Sequence, residues 1–342
     1  MLQLSNKTPF SIRIFLLPNP DGIDTLYVIV KASFTLTPCV ALAEKQAPVC
    51  LADAYHGEPD QSSLRYASEL HTGKPGTDVA LVGHARPEAG PIDVLAVSLA
   101  VAGRKLEARV CGDRVWQSTS TFSHPEPFEQ VPLVFERAFG GAQVVRPGTI
   151  LAEERNPVGR GFLGKRSASE LVGQPLPNVE DPGQPLRSIG DRQTPTCFGF
   201  VAPSWLPRRR FAGTYDAAWQ RRRAPYLPAD FDARYFHCAA EGLVFPQGLA
   251  GGERCAVTGV SRRGPLDFTL PRCELRTEIR LAGRRETPPA RLDTVLIEPD
   301  DNRLSLSYRA ALPCDKQPLK VELVTVTLDK LQHVASQTGA AA

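Results

Sequence analysis

Tyr27-Val28-Ile29-Val30-Lys31-Ala32-Ser33-Phe34-Thr35-Leu36 is the stretch whose reading decides the fold class. β-Branched and aromatic side chains dominate it, and its second half alternates apolar with polar residues, the two-residue period of a strand. Pro38 stops it. Residues 78–85, 93–101 and 105–111 repeat the pattern, the last two joined by the turn-like Ala102-Gly103-Arg104. The last third matches the first, with strand templates at 255–260, 266–270, 274–281, 294–298, 303–308 and 320–328. Between two of these stands Pro299-Asp300-Asp301-Asn302, where Asp and Asn bond their own backbone and Pro presets φ, so a hairpin is expected.

The middle differs. From 125 to 247 prolines and glycines crowd a chain with few long periodic runs, and only 167–172 and 216–223 read as short helices. Ordered irregular backbone is expected there, since a long structureless loop rarely sits inside a compact unit. The expectation is a mainly β protein, with antiparallel strands from both termini forming two β-sandwich-like packed sheets. A long Pro/Gly-rich central region with a few short helices would lie across them. We read one unit over 1–330, with an N-terminal β part (1–124), an irregular centre (125–247) and a C-terminal β part (248–330). Residues 331–342 are read as a frayed tail.

Composition narrows the function. The 342 residues are 42% hydrophobic and 23% charged, which suits a globular chain with a real core. Proline stands apart at 31 residues, about 9% against a usual share of about 5%, and opposes long helices. A net charge of +3 is too small to imply a polyanionic partner for the whole molecule. Arg13 and Pro18 interrupt the apolar stretch near the N-terminus, so no signal peptide is read, and no apolar run approaches the roughly 20 residues of a membrane span. The eight cysteines are dispersed, none in a Cys-x-x-Cys pair, and no histidine spacing completes a zinc site. Buried free thiols and a cytoplasmic location follow as expectations, with no metal and no cofactor.

Within the centre lie Phe135-Glu136-Arg137-Ala138-Phe139-Gly140-Gly141, Asn156-Pro157-Val158-Gly159-Arg160-Gly161-Phe162 and Leu176-Pro177-Asn178-Val179-Glu180. Farther on come Phe198-Gly199-Phe200, Trp205, Ala212-Gly213-Thr214-Tyr215-Asp216, Trp219 and Leu227-Pro228-Ala229-Asp230-Phe231-Asp232. In this order the blocks resemble the bacterial domain-of-unknown-function family 2169, and Asn6-Lys7-Thr8-Pro9-Phe10, Val30-Lys31-Ala32-Ser33-Phe34 and Asp293-Thr294-Val295-Leu296-Ile297-Glu298-Pro299-Asp300 look like its flanks. The resemblance implies a type VI secretion adaptor or chaperone that binds an effector, through its N-terminal or PAAR-containing region, and helps load it onto the VgrG/PAAR spike. It implies no enzymatic activity. One departure is His237-Cys238-Ala239-Ala240-Glu241-Gly242, where relatives tend to carry an Asn-Ala-Ala-Pro-like stretch and an acidic Asp-Gln pair.

Other motifs have plainer roles. Gly164-Lys165-Arg166 breaks the phosphate-loop pattern at Arg166, so the glycines are read as tight turns. Arg208-Arg209-Arg210 and Arg221-Arg222-Arg223 bracket Phe211, Tyr215 and Trp219, a composition that suits a solvated face, a protein interface or, least of the three, single-stranded nucleic acid. Trp205, Arg208, Arg209, Tyr215, Trp219 and Arg223 are the candidate partner interface. The alternative is a glycan-active hydrolase or a carbohydrate-binding β-protein, with Asp230, Asp232 and Glu241 as its carboxylate site, though they read more easily as loop caps. His84 with Asp93, and His237 beside Cys238, are the only histidine pairs worth inspecting, the second disfavoured if the two sit on opposite faces of a strand. No catalytic residue is assigned.

Overall fold

The 27–36 stretch forms a strand, Asp24–Thr35, in the computed structural model, which describes residues 2–59, 61–315 and 317–335. Its alternation separates two faces, and neither meets water. Leu26, Val28, Val30, Ala32 and Phe34 enter the main hydrophobic core. Tyr27, Ile29, Lys31 and Ser33, on the other face, are buried as well.

The organising strands are, in chain order, β1 (Gln3–Lys7), β2 (Ser11–Pro18), β3 (Asp24–Thr35), β4 (Ala41–Leu42), β5 (Thr77–Leu81), β6 (Val94–Val101), β7 (Arg104–Cys111), β8 (Val179–Glu180), β9 (Val244–Phe245), β10 (Arg254–Thr258), β11 (Leu266–Thr269), β12 (Arg272–Leu281), β13 (Arg284–Glu286), β14 (Arg291–Glu298), β15 (Arg303–Pro313) and β16 (Val321–Gln332). The largest sheet has seven strands in the order β9-β5-β14-β15-β3-β2, with β4 paired to the end of β3. A five-stranded sheet runs β8-β7-β6-β10-β11, and a four-stranded one β1-β16-β12-β13. Both expected hairpins are present. β6 and β7 turn at Ala102 and Gly103, whose φ values of 48° and 81° give the turn that matches strand twist. β14 and β15 close around 299–302 with Glu298 opposite Arg303.

The mainly β reading holds, with two differences. Three principal sheets share the core where two were expected: Leu306, Leu99, Val257, Ile279 and Val324 all belong to one buried cluster. Pairing is also mixed, because β1 runs parallel to β16 and β5 parallel to β14. Two short helices, α1 (Leu206–Arg209) and α2 (Ala217–Arg222), lie in the irregular centre. Asp216 caps α2 by accepting from the Trp219 amide at 2.7 Å, and Ser167 with Glu170 forms a capping box on a 3-10 turn at Ala168–Leu171. β16 extends to Gln332 and the Ala335 amide bonds Val40 O at 2.8 Å, while 336–342, the rest of the expected tail, lie outside the described residues. Among the described residues no helix is long and apolar enough to cross a membrane.

Asn302 ties the 299–302 turn to the end of β3. Its φ is 49°, its Oδ1 accepts from the Thr37 amide at 2.8 Å and hydroxyl at 2.9 Å, and its Nδ2 donates to Thr37 O at 3.0 Å. Asn302→Ala should lower unfolding stability by about 2–4 kcal/mol, since it removes several part-buried bonds and leaves a Cβ residue in the left-handed region. Urea unfolding would show a lower midpoint at unchanged slope; a change under about 0.5 kcal/mol contradicts the assignment.

Candidate functional site

Alternation along the large sheet gives it a second face of unusual chemistry. Lys31 and Ser33 on β3, Ser305, Ser307 and Arg309 on β15, Thr294 on β14 and Asp78 on β5 are all buried. A register shift between Leu292 and Thr294 sets Asp293 beside them. Charges removed from water need partners, and the segment before β5 supplies them. Lys74 Nζ lies 2.8 Å from Asp78 Oδ2, 2.9 Å from Thr294 Oγ1 and 3.6 Å from Asp293 Oδ2. Arg309 donates to the carbonyls of Glu69 at 2.7 Å and His71 at 2.8 Å, with its Nε 3.3 Å from Asp293. Lys31 pairs with Glu69 at 2.9 Å, and Glu69 also accepts from the Cys50 amide and the Ser307 hydroxyl.

The irregular centre joins the same cluster. His237 Nδ1 sits 2.7 Å from Asp78 Oδ1, and the Cys238 amide donates to Asp78 Oδ2 at 2.7 Å. These two residues follow a 3-10 turn, Ala233–Phe236, so the opposite-face argument fails and both address one carboxylate. Three cations thus meet three carboxylates. Burial works against the Asp78 and Asp293 anions, yet Lys74, with His237 at Asp78 and Arg309 at Asp293, holds both below the usual carboxylate range. Burial likewise opposes the Lys74 ammonium, and Asp293 and Asp78 overcome it. Burial draws the His71 imidazole down to about 4, with Arg309 adding to the effect against Asp293, so it is neutral near pH 7. Burial pushes the Cys238 thiol up to about 12, which leaves it protonated and unreactive. The space between Lys31, Glu69, His71 and Lys74 is about 20 Å³, room for about one water, while larger clefts open at the borders of the cluster, about 830 Å³ along Lys74, Asp293 and Arg309 and about 550 Å³ along Lys31 and Ser305.

The blocks singled out in the sequence meet one another. Asn156, fully buried, donates to Phe135 O at 2.8 Å and Phe139 O at 2.9 Å. Gly159 has no space for a side chain, since a Cβ would lie 2.6 Å from Ala138 O, and Gly161 has φ of 90°. Asn178 donates to Cys111 O at 3.1 Å, and buried Arg114 pairs with Glu180 at 2.9 Å. These residues act on one another as a packed knot.

The interface candidates separate. Trp205 is 4% exposed and packs edge-on against Phe135 at 5.2 Å, so it is core. Arg208 is buried, its Nε and Nη1 donating to Tyr235 O and Val201 O at 3.0 Å. Arg209 pairs with Glu154 at 2.9 Å on the surface. Tyr215, Trp219 and Arg223 stay together: the two rings meet at 4.7 Å, Trp219 Nε1 donates to Tyr226 O, and Arg223 reaches Leu227 O and Pro20 O. Tyr226 lies over Gly22. This places the α2 unit against the loop that leaves β2. Of the acids, Asp230 holds the Thr214 amide and hydroxyl, Asp232 caps the 233–236 turn and pairs with Arg234, and Glu241 is exposed. His84 pairs with Asp300 at 2.7 Å, and Asp93 lies 3.8 Å from His124. Lys74, Asp78, Asp293 and Arg309 were not singled out from sequence; the available signal was charge at positions flanking or interrupting apolar strands.

A family model described as an uncharacterized protein conserved in bacteria (DUF2169) matches residues 21–309. No curated protein and no solved structure matches the chain.

The buried cluster sets a pH dependence. His71 is held below its ordinary value, so between pH 6.5 and about 4 the unfolded chain binds the extra proton and stability falls as pH drops. Asp78 and Asp293 are depressed carboxylates, whose contribution is present above the ordinary carboxylate range and lost as pH falls through and below it. Chemical unfolding across pH should show both phases, and His71→Gln should flatten the upper one only. An unchanged upper phase in that variant contradicts the assignment. Lys74→Met should cost about 3–5 kcal/mol at pH 7, because it strands two buried carboxylates.

Proposed function

The chain belongs to the DUF2169 family, and from that premise we propose that it is a cytoplasmic, non-enzymatic adaptor that holds a type VI effector and helps load it onto the VgrG/PAAR spike. The observation that carries the reading is the outer edge of the large sheet. β2 pairs with β3 on one side and with no strand on the other among the described residues. Edges of this kind are normally blunted by charge, yet Ser-Ile-Arg-Ile-Phe-Leu-Leu-Pro offers one arginine in eight residues. Leu16, Leu17 and Ile23 are about 40% exposed, and Tyr226 and Tyr215 continue the apolar surface at 42% and 54%. An extended segment adding to β2 would gain backbone bonds along the strand and side-chain contacts at its α2 end.

The carboxylates of the glycan-hydrolase alternative lack the character of a general acid. Hydrogen bonds from Thr214 lower Asp230, and Arg234 lowers Asp232, so neither is raised as a general acid requires. Arg208, Arg209 and Arg223 are engaged by carbonyls and Glu154, which interrupts a continuous basic track for a nucleic acid.

Affinity purification of the tagged protein from its native host should recover effector and spike proteins, and their clean absence with folded bait would sink the proposal. The double substitution Leu16→Lys/Leu17→Lys should fold within about 0.5 kcal/mol of the parent, as exposed sites do, and retain at least tenfold less effector. Full retention would remove β2 as the docking edge.

A further inference from the structure

Arginines from three parts of the chain converge on a pocket of about 310 Å³: Arg104 at the start of β7, Arg208 in α1, Arg210 just after it, and Arg234 in the 233–236 turn. Their charges outnumber the acids nearby. Asp232 neutralises Arg234 at 2.6 Å, whereas Glu241 approaches Arg210 only to 4.0 Å with its side chain 92% exposed. Arg104 bonds Val244 O at 2.7 Å and meets no carboxylate among the described residues. Arg208 is 9% exposed, also without a carboxylate there; two of its nitrogens are held by carbonyls and Nη2 is unbonded. An arginine nine-tenths buried without a counter-charge is costly, and its like-charged neighbours add to that cost.

The groups are also fixed in advance. Arg210 and Arg234 lie over the Phe211 ring at 4.7 and 4.4 Å, Arg208 over Tyr235 at 5.3 Å and Arg104 over Phe245 at 5.4 Å. Planar guanidinium forks held in place favour oxyanions, and less ordering entropy is lost when one arrives. The shape decides which oxyanion. Across Pro207 and Glu241 the pocket continues into a depression of about 420 Å³, walled in part by Leu106, Phe135, Pro182 and Val201. Lys105, Arg155, Thr194 and Thr196 line it as well, but the two joined depressions are far larger than a free phosphate, and their partly apolar walls suit a chain.

We propose that this groove binds an extended protein segment in which acidic side chains, received by Arg104, Arg208 and Arg210, are followed by apolar ones that fill the adjoining depression. Glu241 then acts as a displaceable rim carboxylate. The inference deepens the adaptor reading and takes from it only that the partner is a protein.

The test is fluorescence anisotropy with the full chain at low salt. The probe is a labelled peptide of two glutamates followed by leucine and phenylalanine between glycines, and its comparator carries glutamines in place of the glutamates. Saturable binding of the acidic probe is expected, at least tenfold weaker for the comparator and at least tenfold weaker for the exposed-site double variant Arg104→Gln/Arg210→Gln, whose melting profile verifies its fold. Glu241→Gln should bind equally or more tightly. The proposal is overturned if the acidic probe fails to bind at about 1 mM, if both peptides bind alike, if the folded double variant binds like the parent, or if millimolar inorganic phosphate displaces the probe. Failure here with effector co-purification intact removes the groove alone, and the reverse removes the adaptor reading alone.

Discussion

The constraint on which the structure depends is that the central strands of the large sheet are buried on both faces while one of those faces carries charge. β3 and β15 place leucine, valine and phenylalanine toward the common core and lysine, serine and arginine on the opposite side. A sheet built this way is incomplete until another layer supplies counter-charges in the right places. Glu69, His71 and Lys74 do so from the segment ahead of β5, and His237 with Cys238 from the irregular centre. Segments far apart in sequence are thereby fixed over one sheet by directional bonds, which an apolar contact would not orient as closely.

That arrangement leaves a division of labour. The charges of this face are paired with the covering layer, and the space between Lys31, Glu69, His71 and Lys74 holds about one water. In the proposed adaptor, recognition falls to the open β2 edge with the α2 aromatic unit beside it, and to the arginine groove formed where the covering layer meets β7. Arg208 links the two roles, since its carbonyl bonds fix the 201 and 235 segments while its remaining donor is left for a guest.

Much of the fold was legible in the sequence because strand propensity and turn chemistry agreed with it. The 299–302 turn, the 102–103 turn and the short helical pieces near 167–172 and 216–223 all formed as their residues suggest. Alternation in the 27–36 stretch marked two faces correctly, but period alone does not tell a solvated polar face from a buried one; that depends on Glu69, some forty positions away along the chain. For the same reason Asp78 and Arg309 went unremarked, and Trp205, which composition placed at an interface, belongs to the core through Phe135. Parallel pairing of β1 with β16 joins opposite ends of the chain and has no local signature.

The most direct measurement of the functional account is amide hydrogen exchange of the chain alone and with its co-purified effector. Slowed exchange at residues 11–18 and the 215–226 unit, with any further protection limited to the groove segments around Arg104, Arg208 and Arg234 and with β3, β14 and β15 protected equally in both states, is the result expected of an adaptor that docks through its open edge. Unchanged exchange at 11–18 in a complex that demonstrably forms would contradict it.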